Sequence, residues 1–136
     1  MVMYFKDNRA LQDRLDGRRL ADSLELNRRR ETFNEADIAF VESAPFLFLA
    51  TAYDDLVNCS FKGGVLGFVR VTSRNSLCFP DYDGNSMYKS LGNILQSPAI
   101  GMLFIKFDGS GERMRINGEA TIEHDLSRLE KFEGLK

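Results

Sequence analysis

Residues 45–80 read PFLFLATAYDDLVNCSFKGGVLGFVRVTSRNSLCFP. Pro45 ends the helical pattern that precedes it. Phe46 to Tyr53 is a strand-length apolar run, and Asp54-Asp55 supplies a turn. Residues 57–62 form a second extended run, closed by Gly63-Gly64. Residues 68–72 form a third, 73–76 a polar turn, and 77–80 a fourth. Short strands with tight turns are the pattern of an antiparallel sheet or small barrel.

Beyond Pro80, residues 81–85 are turn-rich, and Asp83-Gly84 is the strongest turn signal. A helix is expected over 86–97, with Met87, Leu91, Ile94 and Leu95 on one face and Pro98 as the break. Residues 100–107 are almost continuously apolar, which predicts a strand buried on both faces. Asp108-Gly109-Ser110-Gly111 makes a hairpin. In the next strand Met114, Ile116, Ala120 and Ile122 alternate with polar residues such as Arg113, Arg115, Glu119 and Thr121. Residues 125–136 read as a short helix.

Upstream, residues 8–30 are polar and helical in period. Leu11, Leu15, Leu20 and Leu24 mark one stripe, and Gly17 breaks the segment into two helices. Arg28-Arg29-Arg30 reads as a solvated helix end, where basic side chains complement the dipole. A further helix starts at Asn34, a good N-cap with Glu35 and Asp37 in its first turn and Phe33 and Ile38 spaced as a hydrophobic staple. The expected organisation is a helical extension over 1–44 and one β domain over 45–136.

The length of 136 residues suits one domain, and eleven Phe exclude a disordered chain. A formal charge of -2 argues against a general nucleic-acid binder. No apolar run is long enough for a membrane span, and the N-terminus lacks a signal-peptide pattern. The cytoplasm is the expected location, and Cys59 and Cys78 are expected to be reduced, buried structural thiols. With one histidine, His124, and two distant cysteines, no metal site or His-based triad can be assembled.

No hydrolase or acyl-transfer motif is present. Gly63-Gly64-x-x-Gly67 joins two strands, so it is not a dinucleotide fingerprint, which must open a helix. What remains is a polar set. Ser60, Lys62 and Arg70 lie on adjacent strands, and Asn85, Ser86, Lys89, Ser90 and Asn93 lie at the start of the 86–97 helix. A helix start with a Lys and an Arg reaching it suits a phosphate. The competing reading is an ordinary capped helix with solvated basic residues.

Several ordered stretches carry a resemblance: FLFLATAYDD (46–55), CSFKGGVLGFVRV (59–71), LCFPDYDGNSMYKSLGNI (77–94), SPAIGMLFIKF (97–107) and RMRINGEATI (113–122). They are similar to the pyridoxamine 5′-phosphate oxidase-like, FMN-binding split-barrel family. LQDRLDGRRLADSL (11–24) resembles the N-terminal extension of one bacterial subgroup. The resemblance implies a six-stranded antiparallel split barrel that binds FMN at a homodimer interface. It implies that Arg70, Lys89 and Ser90 hold the cofactor phosphate. It places Pro80 and Asp81 at the end of the strand whose backbone lies along the flavin, and Ser60 and Lys62 near the ring or ribityl chain. Asn85 and Asn93 match subgroup motif positions, and Ser86 sits between them at the helix start.

Three departures stand out. Many relatives carry Arg where this chain has Met87, which weakens the expected clamp. The substrate-phosphate residues of true pyridoxamine phosphate oxidases are not recognisable, and relatives continue past Lys136 with a further strand. The expectation is an open barrel edge covered by a partner subunit, or else a truncated or frameshifted frame. Three functions follow. One is an FMN-dependent oxidoreductase with an unassigned small-molecule substrate. The second is a non-catalytic flavin, haem or deazaflavin carrier. The third is a cofactor-free structural dimer.

Overall fold

The computed structural model describes residues 2–82, 84–125 and 127. The chain divides into two units, Met1–Phe33 and Asn34–Lys136. The first holds α1 (Lys6–Arg14) and α2 (Arg18–Arg28). Gly17 separates them as expected, its N–H reaching the Gln12 carbonyl at 2.7 Å. Arg9 ties the two helices together. It donates to Asp22 at 2.6 Å, pairs with Glu25, and places its guanidinium 4.8 Å from the centre of the Tyr4 ring. The leucine stripe is exposed, and Ala21 is the buried residue of α2. Arg28 ends α2, and Arg29 reaches Glu31 at 2.9 Å.

The second unit begins with α3 (Glu35–Glu42). Asn34 caps it as expected: its side chain accepts from the Asp37 N–H at 2.8 Å, and Asp37 accepts from the Asn34 N–H at 3.0 Å. Then come β1 (Phe46–Tyr53), β2 (Leu56–Gly63), β3 (Arg70–Ser73), β4 (Ser76–Cys78), α4 (Lys89–Gln96), β5 (Ala99–Ile105) and β6 (Arg113–Glu119). Four strands form one antiparallel sheet in the order β2-β1-β5-β6, and β3 and β4 form a separate antiparallel ribbon.

The mainly β, antiparallel class is as expected, and six strands are present among the described residues. The barrel is not closed: among those residues no strand pairing joins ribbon to sheet. β3 and β4 are only four and three residues long, and a register irregularity between Val71 and Ser73 breaks their own ladder. So short and interrupted a ribbon has few backbone groups with which to extend pairing.

The core follows strand alternation. Leu47 and Leu49 of β1 and Met102 and Phe104 of β5 are buried with Val41, Phe68, Val69 and Ile94. Met114 and Ile116 of β6 stand opposite Phe104 and Met102 and pack against the same core. The other face of the sheet carries Phe46, Phe48 and Phe61, with Phe46 stacked on Phe61 at 5.3 Å and on Phe107 at 5.7 Å. Phe61 and Phe107 are exposed.

Three expectations change. Residues 100–107 are not buried on both faces: the strand stops at Ile105, and only alternate residues are enclosed. The sheet has one packed face, and continuous hydrophobicity does not reveal that by itself. Cys59 is exposed and Cys78 only half-buried, because Cys59 pairs with Ala50 and so takes the alternation opposite to Leu49 and Ser60. The helix expected over 86–97 begins at Lys89, because Tyr88 is left-handed at φ 49° and Ser86 at φ 56°. The Asp83 part of the expected turn and most of the expected helix after Asp125 lie outside the described residues.

Candidate functional site

β2 is an edge strand of the sheet, and its residues alternate in a way that matters. Asn58, Ser60 and Lys62 register with Thr51, Leu49 and Leu47, the core-facing residues of β1. A polar stripe therefore runs along the edge of an apolar face. A cleft of about 490 Å³ opens beside it, bounded by residues 58–63 of β2 and by Pro80, Asp81, Tyr82 and residues 84–90. That volume lies within the range of small-molecule sites.

Lys62 and Asp81 join the two walls. The Lys62 ammonium donates to both Asp81 oxygens at 3.0 Å, and the two side chains are only 13% and 24% exposed. An ammonium has three N–H groups, so one remains beyond the pair. Ser90, in the first turn of α4, lines the cleft and is 3% exposed. Lys89 beside it is exposed and also lines the cleft. Asn85 accepts from the Met87 N–H at 3.1 Å and so shapes the rim before the helix.

Eight of the expected site residues meet here: Ser60, Lys62, Pro80, Asp81, Asn85, Ser86, Lys89 and Ser90 all line the cleft. Arg70 does not. It lines a separate shallow groove with Glu42, Leu66, Gly67, Val69 and Val71, and its Nε donates to the Gly67 carbonyl at 3.4 Å. Asn93 does not line the cleft either. Its amide donates to Thr51 Oγ1 at 3.1 Å and to the Leu56 carbonyl at 3.3 Å. Asn58, Tyr82 and Tyr88 line the cleft without having been singled out from the sequence. Asn58 was within reach of strand alternation, being two positions from Ser60 and four from Lys62. Among the described residues no group of three His, Cys, Asp or Glu side chains could hold a metal ion.

A family model described as Pyridoxamine 5′-phosphate oxidase matches residues 33–135. The chain belongs to the pyridoxamine 5′-phosphate oxidase-like family. Comparison with curated proteins and with solved structures returned no match. The match takes in α3, all six strands, α4 and every residue lining the cleft. The family is a flavin-binding one. No helix among the described residues is long and apolar enough to cross a membrane.

Proposed function

We propose that the cleft binds FMN and that the protein is an FMN-dependent oxidoreductase acting on a small molecule. In this reading it is a cytoplasmic homodimer with the cofactor at the subunit interface, and a partner copy completes the split barrel. Ser90 carries the proposal. It is a residue almost wholly buried in the first turn of α4 that lines the cleft, which suits its hydroxyl to a ligand oxygen.

The donors around it fit a phosphate. Lys89 supplies charge, the first turn of α4 supplies backbone N–H groups, and the Lys62 ammonium has a third N–H beyond its pair with Asp81. Ser60, Asn58 and Asn85 offer hydrogen bonds to a polyol chain, and Pro80 and Tyr82 offer apolar surface to a ring. Asp81 holds Lys62 in place and keeps its charge partly neutralised, so the phosphate end of the cleft is centred on Lys89 and Ser90. When bound, the flavin supplies the redox chemistry, and this chain supplies binding and orientation. Arg70 and Asn93 fall outside the contact set.

The test compares FMN with riboflavin, which lacks the phosphate. Lys89→Ala should weaken FMN by about 1.5–3 kcal/mol, the range for a hydrogen bond to a charged group, and leave riboflavin almost unchanged. Equal losses for both ligands, or no binding of either by the wild type, would overturn the assignment.

A further inference from the structure

We infer that Asn93 is the positioning residue of this site: it sets where the phosphate-binding turn of α4 stands relative to β2. The inference rests on the FMN reading for its ligand and on the hydrogen bonds of Asn93 for its geometry. α4 has eight residues, too few to hold its place by helix stability alone. Ile94 anchors it in the core, while Leu95 is 69% exposed. One apolar anchor fixes how closely a helix packs and leaves its rotation and sliding soft.

The Asn93 amide removes that freedom. One N–H donates to Thr51 Oγ1 in β1 and the same nitrogen donates to the Leu56 carbonyl at the start of β2, so both bonds end on the β1–β2 hairpin. Asn93 stands four residues after Lys89 and three after Ser90, which puts all three on one side of the helix. Any rotation that breaks the Asn93 bonds carries Lys89 and Ser90 with it. The strand at the other end of those bonds bears Ser60 and Lys62, the opposite wall of the cleft. Thr51 agrees with this role. It is 3% exposed at a position where Leu47 and Leu49 set an apolar pattern, yet it presents an oxygen to Asn93.

Four variants test the inference: Asn93→Ala, Asn93→Asp, Thr51→Val and Thr51→Ser. Asn93→Asp keeps the shape and loses both N–H donors. Thr51→Val keeps the shape and loses the acceptor, whereas Thr51→Ser keeps the acceptor. FMN and riboflavin affinities are measured by quenching of flavin fluorescence, alongside the melting temperature. Asn93→Ala, Asn93→Asp and Thr51→Val should each cut the preference for FMN over riboflavin by about tenfold, and Thr51→Ser should retain it. Lower melting temperatures with the wild-type preference intact would overturn the positioning role. A second arm needs no ligand. Backbone hydrogen exchange of residues 92–96 should accelerate in Asn93→Ala and in Thr51→Val, and unchanged exchange would overturn the inference. A wild type that does not prefer FMN would refute the FMN reading, and the exchange arm would then decide the geometry of α4 separately.

Discussion

Met87 lies between Ser86 and Tyr88, two non-glycine residues with left-handed backbones. Such residues do not continue a helix, so Met87 stands outside α4 on the rim of the cleft, 59% exposed. A side chain so placed is not part of the core. Met87→Arg therefore incurs no burial penalty and adds a guanidinium at the phosphate end. FMN affinity should rise by about 1.5 kcal/mol, roughly tenfold, with the melting temperature unchanged. Titration and thermal melting of both proteins check this; a lower melting temperature with unimproved affinity would contradict it. The helical periodicity of Met87, Leu91, Ile94 and Leu95 was visible in the sequence. The left-handed pair that cuts off Met87 was not, because serine and tyrosine carry no signal for positive φ. Arg70 is placed apart from the other expected site residues. Residue type and strand position recommended it, while the bulged, separate ribbon carries it to another groove.

The connection from β2 into the ribbon depends on close approach. A β-carbon built on Gly64 would lie 2.9 Å from Phe68 Cβ and 3.0 Å from the Tyr82 ring, and Phe68 is fully enclosed. Neither neighbour can retreat without disturbing the core or the cleft wall. Gly64→Ala should cost about 1–3 kcal/mol, the range for overpacking, and chemical denaturation checks it. The β5–β6 turn responds to pH instead. Ser110 hydrogen-bonds the Asp108 carboxyl, its N–H at 2.9 Å, and holds that carboxyl below its ordinary value of 3.8. A depressed folded-state value means that the ionised group favours the fold above the unfolded value. That contribution is lost as the pH falls below 3.8 and through the folded value. Carboxyl titration by NMR should find Asp108 low in the wild type and nearer 3.8 in Ser110→Ala. The stability gap between the two proteins should narrow in acid. At this scale the sequence was a good guide: the Asn34 cap, the Gly17 break and the β1–β2 hairpin were all legible from local chemistry. Burial on the two faces of β5 was not, since it depends on what lies across the sheet.

For the molecule as a whole, the apolar outer face of the sheet has the greatest bearing on assembly. Val57 and Phe61 of β2 and Phe107 beyond β5 are 79%, 64% and 75% exposed, and Phe46 links the two rings. Exposed apolar patches of this kind mark interfaces, and two-fold closure is the commonest way to cover them. Light scattering should give a mass twice 15.4 kDa, and Phe61→Asp should return the protein to the monomer mass without unfolding it. A wild-type monomer at micromolar concentration would refute the dimer. The strand order β2-β1-β5-β6 sets the tempo of folding. β1–β2 and β5–β6 are neighbours in sequence and can close as hairpins within about 1–10 μs. The joint between β1 and β5 brings Phe48 to Leu103 across the ribbon and α4, so it must wait for a long loop to close. Closure of that seam is therefore expected to limit the folding rate. Gly101, facing Ala50 there with Asn117 Oδ1 3.3 Å from where a methyl would sit, is the residue at which a substitution would slow folding more than it hastens unfolding.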